Sequence, residues 1–171
     1  MKQHLKQELT HFLASLPEDE RVEAINEFRQ AIHKVSPFRE EPVDCVLWVK
    51  KEQLKPNNYN PNNVAPPEKR LLQVSIETDG FTQPIVVSPS SQNEYEIVDG
   101  FHRHLVGKEN GTLGVRLKGY LPVTCLDGNR HERIAATIRH NRARGRHQIT
   151  AMSEIVRELS QLGWDDNKIG K

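Results

Sequence analysis

The sequence feature that most constrains the fold is a β-rich run that leads into a helix through a single Asp-Gly step. Residues 95–98 have the aromatic and β-branched character of a strand, and the pattern from Gly100 to about Asn110 is helical. A helix that begins directly after a strand presents backbone N–H groups and the positive end of its dipole, and these favour a bound anion. The junction therefore indicates a mixed α+β fold with an anion site at the start of this helix.

The other periodic patterns divide the chain into three segments. Apolar residues with helical spacing over 3–15 and 17–34 predict a helical hairpin for residues 1–36. Residues 43–126 alternate β-rich runs with a helix and form the expected core, and residues 127–171 are expected to be helical. The strands are predicted near residues 43–49, 84–87, 95–98 and 120–126, a turn-rich loop over 55–63, and a helix from Pro66 to a glycine cap at Gly80.

The composition indicates a soluble globular protein, with 36% hydrophobic and 27% charged residues. No apolar run approaches the roughly 18 residues of a membrane span. The N-terminal residues also lack the apolar stretch of a secretion signal. We therefore expect a cytoplasmic protein without a membrane partner. In that compartment Cys45 and Cys125 are expected to be two buried thiols, and a disulfide or a shared metal is the alternative.

The net charge of +1 conceals a strong asymmetry along the chain. Residues 1–99 hold 11 Lys and Arg against 16 Asp and Glu, whereas residues 100–150 hold 10 against 3. This local surplus of +7 indicates an anionic partner, for which nucleotide phosphates and a nucleic-acid backbone both qualify. The alternative is a basic face that only contacts solvent.

The junction at residues 99–104 combines residue types that suit phosphate binding. Gly100 would let the backbone approach a phosphate, and Arg103, flanked by His102 and His104, could clamp its oxygens. Asp99 is the candidate catalytic residue, because it could hold Mg²⁺ or accept a proton from a substrate hydroxyl. The alternative is an ordinary turn with an Asp N-cap and exposed basic side chains.

Read together, four motifs in register resemble the ParB-like superfamily, which includes chromosome-partition CTPases, sulfiredoxins and free-serine kinases. They are Leu54-Lys-Pro-Asn-Asn-Tyr-Asn-Pro61, Gly80-Phe-Thr-Gln-Pro-Ile85, Tyr95-Glu-Ile-Val-Asp-Gly-Phe-His-Arg-His104 and Arg139-His-Asn-Arg-Ala-Arg-Gly145. The resemblance covers about residues 43–171. It implies a small ParB/sulfiredoxin-like domain with a mixed sheet, followed by helices, that binds CTP, ATP or ADP.

The resemblance also implies roles for individual residues in nucleotide binding. Its G-x-x-Q-P loop, its phosphate-binding helix start and its E-N-x-x-R motif together match Gly80, Gln83, Pro84, Gly100, His102, Arg103, Asn141 and Arg144. Asn141 is the implied Mg²⁺ ligand, although His140 replaces the Glu of that motif and removes one carboxylate from the metal site. Phe101 replaces the reactive cysteine of sulfiredoxins, so sulfiredoxin activity is not expected.

The C-terminal part of the resemblance concerns DNA. Residues 148–155 and 162–171 are similar to the family segment that leads into a helix-turn-helix, whose DNA-reading helix would then lie beyond Lys171. The other interpretation, compatible with the first, is an amphipathic helix packed on the core. The basic residues expected to contact DNA are Arg142, Arg144 and Arg146.

Among the branches, the helical N-terminus and the Asp-Gly-Phe-His-Arg signature resemble most the immunoglobulin-binding regulator B group of bacterial and prophage co-activators. We therefore expect a nucleotide-gated regulatory protein that binds DNA weakly through residues 1–171 and contacts a second copy or a partner protein through its N-terminal helices. The alternative function is a nucleotide-dependent small-molecule kinase or NTP hydrolase of the free-serine-kinase type, with Asp99 as its base. Endonuclease activity is the least expected of these three functions.

Overall fold

The computed structural model describes residues 2–57, 66–90, 93–109 and 111–127, together with residues 132, 134–137 and 139. The chain begins with two helices, α1 (Lys2–Ser15) and α2 (Glu18–Val35). They contact each other through an edge-to-face pair between Phe12 and Phe28, whose ring centroids lie 6.2 Å apart. The expected N-terminal helical hairpin is therefore present.

A five-stranded mixed sheet follows, with helices inserted between its strands. The strands and helices in chain order are β1 (Val46–Lys50), β2 (Leu54–Lys55), α3 (Pro66–Asp79), β3 (Ile85–Pro89), β4 (Tyr95–Asp99), α4 (Phe101–Lys108), α5 (Thr112–Leu117) and β5 (Tyr120–Cys125). The strand order across the sheet is β1-β5-β3-β4-β2. The outer pair β1/β5 and the central pair β3/β4 are antiparallel, whereas β3/β5 and β2/β4 are parallel. The expected α+β fold with a mixed sheet is confirmed.

The core lies against one face of this sheet. Its strand members are fully or nearly buried, and they are Leu47, Val49, Leu54, Ile85, Val87, Ile97, Leu121 and Val123. A second cluster of Ile76, Val106 and Leu113 joins α3, α4 and α5, and Phe81 and Leu117 contact both clusters. Helix α4 is thus fixed by packing on the sheet and on two neighbouring helices, which makes its N-terminus a rigid feature.

Side chains of α2 satisfy the outer backbone groups of edge strand β1. Asn26 donates from Nδ2 to the carbonyl of Trp48 at 2.7 Å and accepts from the N–H of Trp48 at 3.0 Å. Arg29 donates to the carbonyl of Val46 at 2.8 Å. Because an open strand edge would otherwise pair with another chain, these contacts both protect the edge and attach the hairpin to the core.

Three local differences separate the structure from the sequence-based prediction. The first strand begins at Val46 and not at residue 43, because a 3₁₀ turn occupies Pro42–Asp44. The two-residue strand β2 and the short helix α5 were not predicted, since neither is long enough to show a period. Residues 132, 134–137 and 139 are helical, as predicted for the segment after Asp127.

That last helical segment packs on the core. Residues 134–137 are buried, and the Thr137 hydroxyl donates to the carbonyl of Val98 at 3.0 Å. Most of the predicted loop at 55–63 and all of residues 140–171 lie outside the described residues. Within the described part of the chain, no helix combines the length and the apolar character that a membrane span requires.

Candidate functional site

Helix α4 begins at a glycine, which has no side chain to cap it. Gly100 is the N-cap residue, with a φ of 87°, and it makes no side-chain capping hydrogen bond. The alternative of an ordinary turn capped by Asp99 is therefore wrong, because Asp99 is the last residue of β4 and directs its carboxylate elsewhere. An uncapped helix start, directly after a strand, retains the anion-binding character that the sequence predicted.

Gly100 is required for two reasons at once. Its positive φ lies in the left-handed region, which side chains other than glycine rarely adopt. A Cβ at this position would also lie 2.8 Å from Nη2 of Arg103, closer than a van der Waals contact allows. The guanidinium of Arg103 therefore folds back over Gly100 and lies against the backbone of the helix start.

Among the described residues, three acceptors from two segments hold the guanidinium of Arg103. Its Nη1 donates to Oε1 of Gln83 at 2.9 Å, and its Nη2 donates to the carbonyl of Pro84 at 3.2 Å and to Oδ2 of Asp99 at 3.3 Å. The structure thus brings together the Gln-Pro part of the G-x-x-Q-P loop and the Asp-Gly-Phe-His-Arg junction, which are far apart in the sequence. Gly80 ends α3 with a φ of 82° and turns the chain into this loop.

The ion pair between Asp99 and Arg103 is largely withdrawn from solvent. The side chain of Arg103 is 13% exposed and that of Asp99 is 6% exposed. A carboxylate so deeply placed is a strong orienting group for the guanidinium, since charge-assisted hydrogen bonds strengthen away from water. The same burial makes Asp99 a poor base for an external substrate, because the substrate hydroxyl would have to reach a nearly inaccessible oxygen.

The two histidines of the motif have different environments. His102 is half-buried, and its ring lies 5.6 Å from that of Phe101, which packs against the sheet. His104 is buried, and within the described part of the chain neither of its ring nitrogens has a hydrogen-bond partner. Burial, and secondarily the charge of Lys108, lowers the pKa of His104 from 6.5 to about 4, so its ring is neutral at pH 7. A buried, neutral ring offers no positive charge to a phosphate.

Several basic residues of the charge surplus make internal contacts. Arg116 donates to the last-turn carbonyls of α3, at 2.5 Å to Ile76 and 2.8 Å to Glu77. Lys118 forms an ion pair with Glu18 of α2. These two side chains are engaged within the fold, so the surplus charge available to an anionic partner is smaller than the sequence count suggests.

The remaining predicted site residues and the metal prediction lie beyond what the structure describes. Asn141, Arg142, Arg144 and Arg146 are outside the described residues. Among the described residues, no group of three or more His, Cys, Asp and Glu side chains could hold a metal ion. The described part of the site is therefore a guanidinium at a helix start.

Comparison with known proteins agrees with this architecture. The family model of the ParB N-terminal domain matches residues 38–142, which include the whole sheet and α3 to α5. The chain belongs to the ParB N-terminal domain family. The model of the IbrB-like C-terminal HTH domain matches residues 147–171, in agreement with the predicted approach to a helix-turn-helix and with the predicted branch.

Individual relatives cover the chain to different extents. The uncharacterized protein YbdM of Escherichia coli (strain K12) is 78% identical over all 171 residues, which span 82% of that protein. A nucleoid occlusion protein of Lysinibacillus sphaericus (strain C3-41) is 33% identical over 81 residues, 47% of this chain and 24% of that protein. A solved Pnob8-like ParB-N domain has a TM-score of 0.53 and 14% identity, and the match covers 69% of this chain and 47% of that one. The last comparison supports the fold alone.

Sequence reasoning missed two properties of the site. It did not anticipate that Asp99 and Pro84 would orient Arg103, because these contacts depend on how β3 and β4 pair in the sheet. It also did not anticipate the burial of His104. A signal for that burial was present, since His104 lies three residues from both Phe101 and Gly107 and shares their helix face.

Proposed function

We propose that the chain is a nucleotide-binding regulatory protein and that the start of α4 binds the phosphates of the nucleotide. The observation that carries this proposal is the position of Arg103, whose guanidinium lies over Gly100 at an uncapped helix N-terminus and is oriented by three acceptors. A planar cation with a fixed direction, next to backbone N–H groups, is a favourable receptor for phosphate oxygens.

Of the three described acceptors of Arg103, Gln83 is the one that a ligand would replace. Its contact with Nη1 is exposed, whereas those of Pro84 and Asp99 with Nη2 are partly buried. A phosphate oxygen that displaces Oε1 of Gln83 would gain a charge-assisted hydrogen bond, and the buried contacts would keep the guanidinium in place. Gln83 would then turn its amide N–H groups towards the phosphate, in agreement with its predicted role in the G-x-x-Q-P loop.

The resemblance to nucleotide-binding members of the superfamily makes CTP or ATP the expected ligand, with ADP as a further candidate. Mg²⁺ would accompany a triphosphate and neutralise part of its charge. Asn141 as a Mg²⁺ ligand, and Arg144 and His102 as further contacts, remain part of this proposal.

We further propose that nucleotide binding regulates a DNA-linked activity in the cytoplasm, such as transcriptional co-activation. The match of residues 147–171 to a helix-turn-helix domain supports this assignment. Arg142, Arg144 and Arg146 lie just before that segment and would contact the DNA backbone. The alternative function, phosphoryl transfer with Asp99 as base, is not favoured, because the carboxylate is almost fully buried and accepts from Arg103.

The N-terminal hairpin is the proposed contact with a second copy of the chain. Leu5 and Phe12 on α1, and Phe28, Ile32 and Val35 on α2, are exposed and follow the three-and-four spacing of helix bundles. In the first turn of α2, Glu18 and Asp19 form ion pairs with Lys118 and Lys50, and Glu20 is exposed, whereas α1 holds two lysines against one glutamate. A second copy related by a two-fold axis can therefore place its α1 along this α2.

Sedimentation velocity tests this contact. We expect a concentration-dependent dimer that Ile32→Glu disrupts and that Gln30→Glu, on the opposite face of α2, leaves intact. A wild-type chain that remains monomeric at all concentrations would overturn the proposed contact without affecting the nucleotide site.

Thermal-shift screening of the nucleoside triphosphates and diphosphates, with and without Mg²⁺, tests nucleotide binding. A ligand that binds the folded state raises Tm, by an amount that grows with its concentration relative to Kd. We expect CTP or ATP to raise Tm more than nucleosides do, because the described part of the site is directed at phosphate. No shift with any nucleotide at millimolar concentration would contradict the proposal.

A further inference from the structure

The two cysteines, which are 80 positions apart in the sequence, face each other across the edge of the sheet. The β1/β5 ladder pairs Val46 with Thr124 and Leu47 with Val123. One step further along the same antiparallel register, Cys45 lies opposite Cys125. Cys45 has extended backbone angles, φ −123° and ψ 96°, and it connects the 3₁₀ turn at Pro42–Asp44 directly to β1.

Both thiols point to the same face of the sheet. Side chains alternate between the two faces along a strand, so Cys45 shares its face with Leu47, and Cys125 shares its face with Val123. Leu47 and Val123 belong to the same buried cluster, and both cysteines pack against that cluster. Two cysteines in direct cross-strand register and on one face are neighbours.

We propose that Cys45 and Cys125 form a reversible cross-strand disulfide by exchange with a low-molecular-weight disulfide such as oxidised glutathione. One cysteine thiolate attacks the small disulfide and releases one small thiol. The other cysteine then attacks the mixed disulfide and releases the second small thiol. The balance is one protein dithiol and one small disulfide giving one protein disulfide and two small thiols.

Cys45 lies at the end of the β1/β5 ladder, where its own turn and β5 hold its backbone. Its N–H donates back to the carbonyl of Pro42 at 3.3 Å, and its carbonyl accepts from the hydroxyl of Thr124 at 3.5 Å. Thr124 directly precedes Cys125, so this contact holds the two cysteine positions together at one end of the sheet.

The surroundings make Cys45 the thiol that reacts first. Burial raises the pKa of Cys125 to about 11, and the nearby Cys45 thiol adds to that shift. Burial also raises the pKa of Cys45; the positive charge of Arg29 opposes that shift, and the negative charge of Asp44 adds to it to a smaller extent. Because the thiolate is the attacking species, exchange should be slow at pH 7 and should accelerate about tenfold per pH unit below the pKa.

The disulfide would link the start of β1 to the end of β5, outside the proposed nucleotide site. Cys45 follows the turn whose Asp44 accepts from His33 of α2, with 2.5 Å between Nδ1 and Oδ2. Cys125 ends β5, just before the segment that leads towards residues 147–171. Oxidation would therefore fasten the hairpin-bearing edge strand to the strand that precedes the C-terminal region.

The test uses the full 171-residue chain, reduced and then incubated with oxidised glutathione at pH 8. We expect the intact mass to fall by two hydrogens, a linked peptide pair containing Cys45 and Cys125, and a Tm about 5 °C or more above that of the reduced chain, reversed by dithiothreitol. Stable glutathione adducts on the wild type, an intermolecular disulfide, or no reaction at pH 8 to 9 would each overturn the proposal.

Two single variants test the order of the steps. Cys125→Ser should accumulate one glutathione adduct at Cys45, and Cys45→Ser should react several-fold more slowly. Neither should show the rise in Tm. The result with the wild-type chain does not depend on these variants, so the proposal stays testable if either fails to fold.

Discussion

Nη2 of Arg103 lies 3.3 Å from Oδ2 of Asp99, one helical turn earlier, and both side chains are largely buried. The pair connects the end of β4 to the start of α4 across Gly100. An alanine substitution at Arg103 would therefore remove both a ligand contact and a buried ion pair. Such a variant would leave the Asp99 carboxylate buried without its cation, and would therefore lower stability as well as ligand affinity.

The buried pair should contribute measurably to folding. We expect Asp99→Asn to lower the free energy of unfolding by about 2 to 4 kcal/mol, because it leaves Arg103 without its anionic partner. Urea denaturation followed by circular dichroism measures the change. Asp79→Asn, at the exposed end of α3, is the matched control and should change stability by less than about 0.5 kcal/mol. Equal effects of the two substitutions would show that the Asp99–Arg103 ion pair contributes no more to folding stability than an exposed carboxylate does.

The buried imidazole of His104 should make the fold sensitive to acid. Because its pKa is lowered from 6.5 to about 4, the unfolded chain takes up a proton in this interval and the folded chain does not. Stability should therefore fall as the pH decreases from 6.5 towards 4, by about 2 kcal/mol at pH 5. His104→Leu should remove this contribution and be more stable than the wild type at pH 5. Parallel stability profiles of the two proteins between pH 7 and 5 would contradict the burial of a neutral ring.

Close packing of α4 on the sheet predicts that Gly107 tolerates no side chain. A Cβ there would lie 2.4 Å from Cδ2 of Leu121 and 3.0 Å from Cζ of Phe81. Gly107→Ala should lower the free energy of unfolding by about 1 to 3 kcal/mol, although alanine favours a helix by about 1 kcal/mol. Gly111→Ala is the control, since nothing lies within 4 Å of a Cβ at that position. A stabilised Gly107→Ala variant would mean that α4 lies further from β5.

DNA binding by residues 1–171 should be weak, nonspecific and dependent on salt. Arg103, Arg116 and Lys118 make internal contacts, so only part of the surplus of residues 100–150 can neutralise DNA phosphates. Each neutralised phosphate contributes about 0.9 to the slope of the logarithm of the binding constant against the logarithm of the salt concentration. We therefore expect a slope between about −2 and −5. Fluorescence anisotropy with random duplexes over a salt series measures it. Tight, sequence-specific binding that ignores salt would show that the DNA-reading element lies within these residues.

Local patterns were sufficient to predict most of the helices and strands, including the β4–α4 junction, because each shows a clear period or a capping glycine. Features that depend on the sheet pairing could not be predicted. The reciprocal bonds between Asn26 and Trp48, and the orientation of Arg103 by Pro84, join residues that are distant in sequence. The meeting of Cys45 and Cys125 also requires the β1/β5 register, which no local pattern contains.

Calorimetric titration of CTP and ATP into the wild type, Arg103→Lys and Lys108→Ala tests the phosphate site directly. Lysine keeps the charge beside Asp99 but loses the planar fork, so Arg103→Lys should weaken nucleotide affinity by about tenfold or more. Lys108 lies at the opposite end of the same helix, and its removal should leave affinity unchanged. Tight binding of a nucleotide that Arg103→Lys does not weaken, or no binding to the wild type, would contradict a phosphate site at the start of α4.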